Sequence, residues 1–126
     1  MTQYNRASKS DNTFGSFLTN SQNLGGFYGI LTLTIIEGNF NNSSDLLSDM
    51  DPYIIVEHNN FKYRSKTLKN AGRFPEWHEG EAKFDLKISS PADVIKITAY
   101  DQDTFFDDLI GGAVITVQKI LQFKYS

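Results

Sequence analysis

The 126-residue chain has no cysteine, only three prolines and two histidines, and no long hydrophobic run. Without cysteine there is no disulfide framework and no thiolate site for zinc or iron, which accords with a reducing compartment. His58 and His78, as the only histidines, make neither a zinc centre nor a histidine relay without help and are assigned no chemistry. The apolar runs are far too short to span a bilayer. Residues 1–25 also lack the apolar stretch of a secretory leader, so a cytoplasmic location is expected. Basic charge is scarce: 12 Lys and Arg against 15 Asp and Glu leave a net charge of −3 and a pI near 5.2, which argues against a nucleic-acid binder. No nucleophile–base constellation or catalytic motif stands out, so a non-enzymatic module is expected.

What is present suits one folded domain: 40% of residues are hydrophobic and 13% aromatic. Residues 1–27 are rich in Ser, Asn, Thr and Gln and read as a polar arm, within which "TFGSFLT" can supply a strand. From residue 28 to 126 the pattern is one of strands. In "ILTLTIIEG" Leu31, Leu33 and Ile35 alternate with Thr32 and Thr34, the period of a half-buried strand. Further strands are read over 52–58, 61–67, 81–88, 94–100 and 110–117, separated by the turn residues Asn59, Asn60, Gly72 and Pro91. Only "VQKILQF" hints at a helical turn. Many short strands without intervening helices predict an all-β antiparallel sandwich.

Acidic residues concentrate in two loops. "FNNSSDLLSDMDPY" carries Asp45, Asp49 and Asp51; "DQDTFFDD" carries Asp101, Asp103, Asp107 and Asp108. Both loops follow strands of similar orientation, so in an aligned sandwich they can meet at one end. Converging carboxylates need a cation, and calcium, with six to eight oxygen ligands and a loose shell, suits two flexible Asp-rich loops better than octahedral magnesium. An EF-hand reading of "DQDTFFDDLIGG" fails, because its sixth position is Phe106 rather than Gly and its twelfth is Gly112 rather than Glu. Any one of these aspartates alone is better explained as a turn residue than as a ligand.

An ordered set of segments resembles the C2 domain family, the calcium- and phospholipid-binding sandwich of synaptotagmins and protein kinase C. The segments are "LTLTIIEGNF", "SDMDPYIIVE", "FKYRSKT", "FPEWHE" and "ITAYDQDTFFDDLIGGAVI", over about residues 28–117. The resemblance implies an antiparallel Greek-key β-sandwich of about eight strands with Asp45, Asp51, Asp101, Asp103 and Asp108 as calcium ligands, and with carbonyls near Met50 and Gln102 completing the shell. The third loop is one residue shorter than in the best-known members, so Asp107 competes with Asp108 for the fifth position. Asp108, which precedes "LIG", is favoured. Phe74 and His78 depart from the family's Asn in both places, while Tyr53, Pro75 and Trp77 match positions of architecture.

Lys62, Arg64 and Lys66 alternate, so a strand over 61–67 would project all three from one face, with Lys69 just beyond. This resembles the family's basic patch for anionic lipid headgroups, and an ordinary solvated face explains it equally well. Leu46, Leu47, Phe105 and Phe106 sit between the proposed ligands, where they can insert shallowly into a bilayer. Of Phe105 and Phe106, one is expected to tip outward and one to pack beneath the loop. The chain also stops one or two strands short of the family's set; the arm fills the place, a partner chain does at the sheet edge, or the chain is a fragment of a longer one. The expectation is therefore a calcium-dependent, peripheral membrane module, with a calcium-independent scaffolding subunit as the alternative.

Overall fold

Alternation in the sequence becomes two opposed sheets in the computed structural model of the chain, which describes residues 2–8, 16–23, 29–40 and 50–122. One sheet runs β1 (Thr2–Ser8), β2 (Ser16–Asn23), β3 (Ile30–Asn39), β6 (Lys83–Lys87). The other runs β5 (Phe61–Arg64), β4 (Pro52–His58), β7 (Val94–Asp101), β8 (Asp108–Thr116). Every pairing is antiparallel. Leu31, Leu33 and Ile35 of the first sheet and Ile54, Val56, Ile95 and Ile97 of the second are buried between the layers. A short helix, α1 (Val117–Gln122), follows β8 and adds Val117 and Ile120 to the same core.

Three differences from the sequence reading have physical causes. The arm supplies two strands rather than one: residues 2–8 and 16–23 form a hairpin whose second strand pairs with β3, so the first sheet is four-stranded. The strand expected over 61–67 stops at Arg64. Ser65 turns inward, its hydroxyl accepting the Ile54 amide at 2.8 Å. Lys66 then bonds across the sandwich, donating its amide to the Glu81 carbonyl and accepting from the Trp77 indole. Finally, β8 begins at Asp108 rather than Ile110, because the β7–β8 register shifts by one residue at Ala99/Tyr100.

That shift is a β-bulge with a consequence for the site. Ala99 faces Gly111, but Tyr100 faces Leu109 and Asp101 faces Asp108, leaving Ile110 as the extra residue. Side chains alternate across a strand, so the bulge sends Ile110 into the core, leaves Leu109 outside and sets Asp108 beside Asp101. At the opposite end of β4, Asn59 and Asn60 both have positive φ (48° and 67°), which closes the two-residue hairpin to β5. Beneath it the buried His58 ring lies 2.8 Å from Asp93, which also accepts the Ser89 amide. Burial alone would push Asp93 up; the Ser89 amide and His58 outweigh it and hold the carboxyl below its usual range.

Core and face of the second sheet should respond differently to truncation. Ile97, 1% exposed on central β7, should cost about 2–5 kcal/mol when changed to Ala in urea unfolding. Val114→Ala, at a residue 54% exposed on the outer face of the adjacent strand, should change stability by less than about 0.5 kcal/mol.

Candidate functional site

Three strand ends meet at one end of the second sheet: the start of β4 at Pro52, the end of β7 at Asp101 and the start of β8 at Asp108. Hydrogen bonds carry the pairing past the last ladder position. The Asp51 amide donates to Asp101 Oδ1 at 2.9 Å, and the Gln102 amide donates to the Asp51 carbonyl at 2.9 Å. The segment after β5 packs onto the same end, where the Asn70 amide donates to Asp51 Oδ1 at 2.7 Å and the Gly72 amide to the Met50 carbonyl at 3.2 Å. Asn70 holds a positive φ of 55° to make its bond.

The charges so assembled are alike. Burial pushes the Asp101 carboxyl above the usual range, and the nearby charges of Asp51, Asp103 and Asp108 push it further, against the opposing bond from the Asp51 amide. Asp101 and Asp108 face each other directly in the ladder, an arrangement that is unfavourable for two like charges. Asp51, Asp103, Gln102, Thr104 and Lys69 line a cleft of about 220 Å³ at this mouth. Lys69 Nζ stands 3.8 Å from Asp51 Oδ2. Among the described residues no three acid or histidine side chains stand close enough to hold a metal unaided. Asp45, with Leu46 and Leu47, lies outside the described residues.

Asp107 is differently engaged from Asp108. One of its oxygens accepts the Tyr53 hydroxyl and the other the Asp103 amide at 3.2 Å. The Tyr53 bond, the Asp103 amide and the Arg64 charge together hold Asp107 below the usual carboxylate range. Tyr53 is itself almost fully covered, stacking on Tyr100 with ring centroids 5.6 Å apart while the Arg64 guanidinium lies 3.7 Å above its ring. Burial, then the Asp107 bond, pushes its hydroxyl up to about 12. The residue read from sequence as architecture is therefore the post to which the third loop is tied.

Phe105 and Phe106 are 86% and 80% exposed, so both tip outward and neither packs beneath the loop. The basic residues do not form the single row read from their alternation. Lys62 and Arg64 project from β5, whereas Lys66 pairs with Glu81 at 3.2 Å and Lys69 belongs to the acidic mouth. Lys96, missed in the sequence, joins Lys62 instead: both flank Glu57, at 3.8 and 3.4 Å. Its signal was its phase in "VIKITAY", opposite to the buried Ile95 and Ile97.

A family model for the C2 domain matches residues 29–125. The chain belongs to the C2 domain family. This C2 domain is 30% identical over 99 residues to "GTPase activating protein 1" of Oryza sativa subsp. indica, covering 79% of the chain and 57% of that protein. It is 35% identical over 94 residues to "Protein C2-DOMAIN ABA-RELATED 11" of Arabidopsis thaliana, covering 74% of the chain and 54% of that protein. The chain thus spans little more than half the length of these curated relatives. Among solved structures, a C2 domain of RIM from Drosophila superposes with a TM-score of 0.65 at 19% identity, over 83% of this chain and 87% of that one, a likeness of fold alone.

Two substitutions test the electrostatics of this C2 domain. Asp101→Asn keeps an acceptor for the Asp51 amide but removes the repelled charge, so in chelator its melting temperature should equal or exceed the wild type's. A marked fall would contradict the like-charge cluster. For Tyr53, a hydroxyl raised from 10.0 to about 12 on folding ionises first in the unfolded chain, so stability is lost as pH rises from 10 toward 12. Tyr53→Phe should lower stability at neutral pH and abolish this tyrosine's share of the alkaline loss, read from melting temperature against pH.

Proposed function

We propose that this C2 domain binds calcium between its aspartate loops and thereby docks on anionic phospholipid, acting as a binding module rather than an enzyme. The observation that carries the reading is the convergence of Asp51, Asp101, Asp103 and Asp108 on one end of the sandwich, with Asp101 held above its usual range by burial and by its neighbours' charges. That donor set is all oxygen and all anionic, as calcium prefers. Asp51, Asp101, Asp103 and Asp108 would hold the ion with Asp45, and the Met50 carbonyl keeps a lone pair beyond the one used by Gly72. Asp108 takes the fifth place because the bulge sets it opposite Asp101, whereas Asp107 is turned to the Tyr53 hydroxyl and the Asp103 amide.

Bound calcium supplies positive charge that lipid phosphate can approach. The chain's own residues do the rest. Phe105 and Phe106 present apolar area at the mouth, each worth about 1.5–3 kcal/mol if fully buried. Lys62, Arg64 and Lys96 add cationic charge on the adjoining face, each about 1 kcal/mol beside an anionic membrane. No helix among the described residues is long and apolar enough to cross a bilayer, and the proposed attachment is peripheral.

Calcium at millimolar concentration should raise the melting temperature above the value in chelator, since a ligand that binds only the folded state stabilises it. The Asp101→Asn, Asp103→Asn double variant should lose that rise. Equal responses in the two proteins, or none in either, would remove the metal from the reading. Sedimentation with phosphatidylserine vesicles should require calcium; retention that ignores the ion would favour the calcium-independent scaffolding alternative.

A further inference from the structure

Five of the large apolar side chains left exposed belong to one hairpin: Val94 on β7, Phe105 and Phe106 in the loop, and Leu109 and Val114 on β8. The register puts Val94, Leu109 and Val114 on one face. On the outer face of the second sheet Val94 stands opposite Thr116, Lys96 opposite Val114, Thr98 opposite Gly112 and Tyr100 opposite Leu109. Gly112 has no side chain to fill the row, and a shallow groove of about 260 Å³ opens there between Tyr100, Leu109, Val114 and Lys96. The stripe continues from the tip of the third loop down the length of β7, about 24 Å at the usual rise per residue.

Charge distinguishes this face from an ordinary apolar surface. Below Asp101 and Asp108 the hairpin's outward row carries no carboxylate, only Lys96. The single acid on the neighbouring strand, Glu57, is bracketed by Lys62 and Lys96. Arg64 lies farther along, over the Tyr53 ring. Apolar side chains with a cationic margin, in which two lysines flank the one adjoining carboxylate, complement an anionic bilayer. Such a surface settles where headgroups meet acyl chains.

We propose that the outer face of the β7–β8 hairpin is a lipid-contact surface continuous with the third loop, so that the domain lies tilted with this face against the bilayer instead of standing on its loop tips. The inference rests on the docking reading above and adds the orientation and a contact area that the loops alone do not provide. Leu109 and Val114 enter the interface, Tyr100 lies at its edge, and Lys96 and Lys62 reach the headgroups beside it.

The absence of native cysteine allows a direct test. Single variants Phe106→Cys, Leu109→Cys, Val114→Cys and, as a control on the opposite sheet, Lys83→Cys are labelled with an environment-sensitive fluorophore. They are then mixed with phosphatidylcholine–phosphatidylserine vesicles in calcium. Labels at Phe106, Leu109 and Val114 should all shift to shorter emission wavelength, and the label at Lys83 should not. In addition, Val114→Glu should weaken vesicle binding about tenfold while leaving the calcium-induced rise in melting temperature intact. If Phe106 responds while Leu109 and Val114 behave like Lys83, docking stands and the tilted face is wrong. If no label responds and the wild type does not sediment with vesicles, the docking reading itself fails and this one with it. If the lipid-free wild type is larger than a monomer and Val114→Glu restores the monomer, the face is a protein interface and the proposal is overturned.

Discussion

The antiparallel register of β4 against β7 fixes where the acidic groups of the site stand. Pro52 opposite Asp101 is its last rung, and the bonds from the Asp51 amide and from the Gln102 amide extend it one step into the loops. Those bonds tie Asp51 directly to the start of the third loop. The β7–β8 bulge then decides which third-loop acid joins them. Without the extra residue, Asp108 would point to the outer face with Tyr100; with it, Asp108 stands against Asp101 and Ile110 fills the core.

Crowding like charges is costly at the end of a sheet, and the surroundings show how that cost is contained. Asp101 is pushed up first by burial and then by its neighbours' charges, but it is tied by the Asp51 amide, so repulsion cannot simply swing it away. Asp107 is withdrawn from the cluster by Tyr53, itself clamped between Tyr100 and Arg64. This latch holds the third loop without hydrophobic packing of its own, and that is why both phenylalanines remain outside. An anchor made by a hydroxyl and a carboxylate leaves the aromatic side chains available for an external surface.

Much of the fold was legible because it depends on period and local chemistry. The alternation in "ILTLTIIEG" gave β3, the residues between β4 and β5 gave the two-asparagine hairpin turn, and the order of segments gave the family. Features that depend on one residue of register were not legible. A bulge leaves composition unchanged, so nothing in "YDQDTFFDDLIGG" reveals that Asp108 rather than Leu109 lies beside Asp101. The basic row failed for a related reason. Alternation places Lys66 with Lys62 and Arg64 only if the strand continues, and Ser65 ends it by accepting the Ile54 amide. The arm's first strand, β1, was missed because polar strands at a sheet edge carry little hydrophobic period.

The two ends of the second sheet use the same chemical group in opposite ways. At the hairpin end, Asp93 is held below its usual range, against its burial, by the Ser89 amide and His58, so its partners come from within the chain. At the loop end, burial drives Asp101 above its usual range, and the charges that act on it among the described residues are those of other acids. A carboxylate of the first kind is satisfied by folding and contributes to stability. One of the second kind is left with a deficit of positive charge that folding does not remove, and Lys69, exposed and reaching Asp51 at 3.8 Å, is too weak a partner to remove it. The polarity of the domain, one end closed by its own donors and the other open to a counter-charge from outside, therefore follows from which residues face each aspartate, before any ligand is considered.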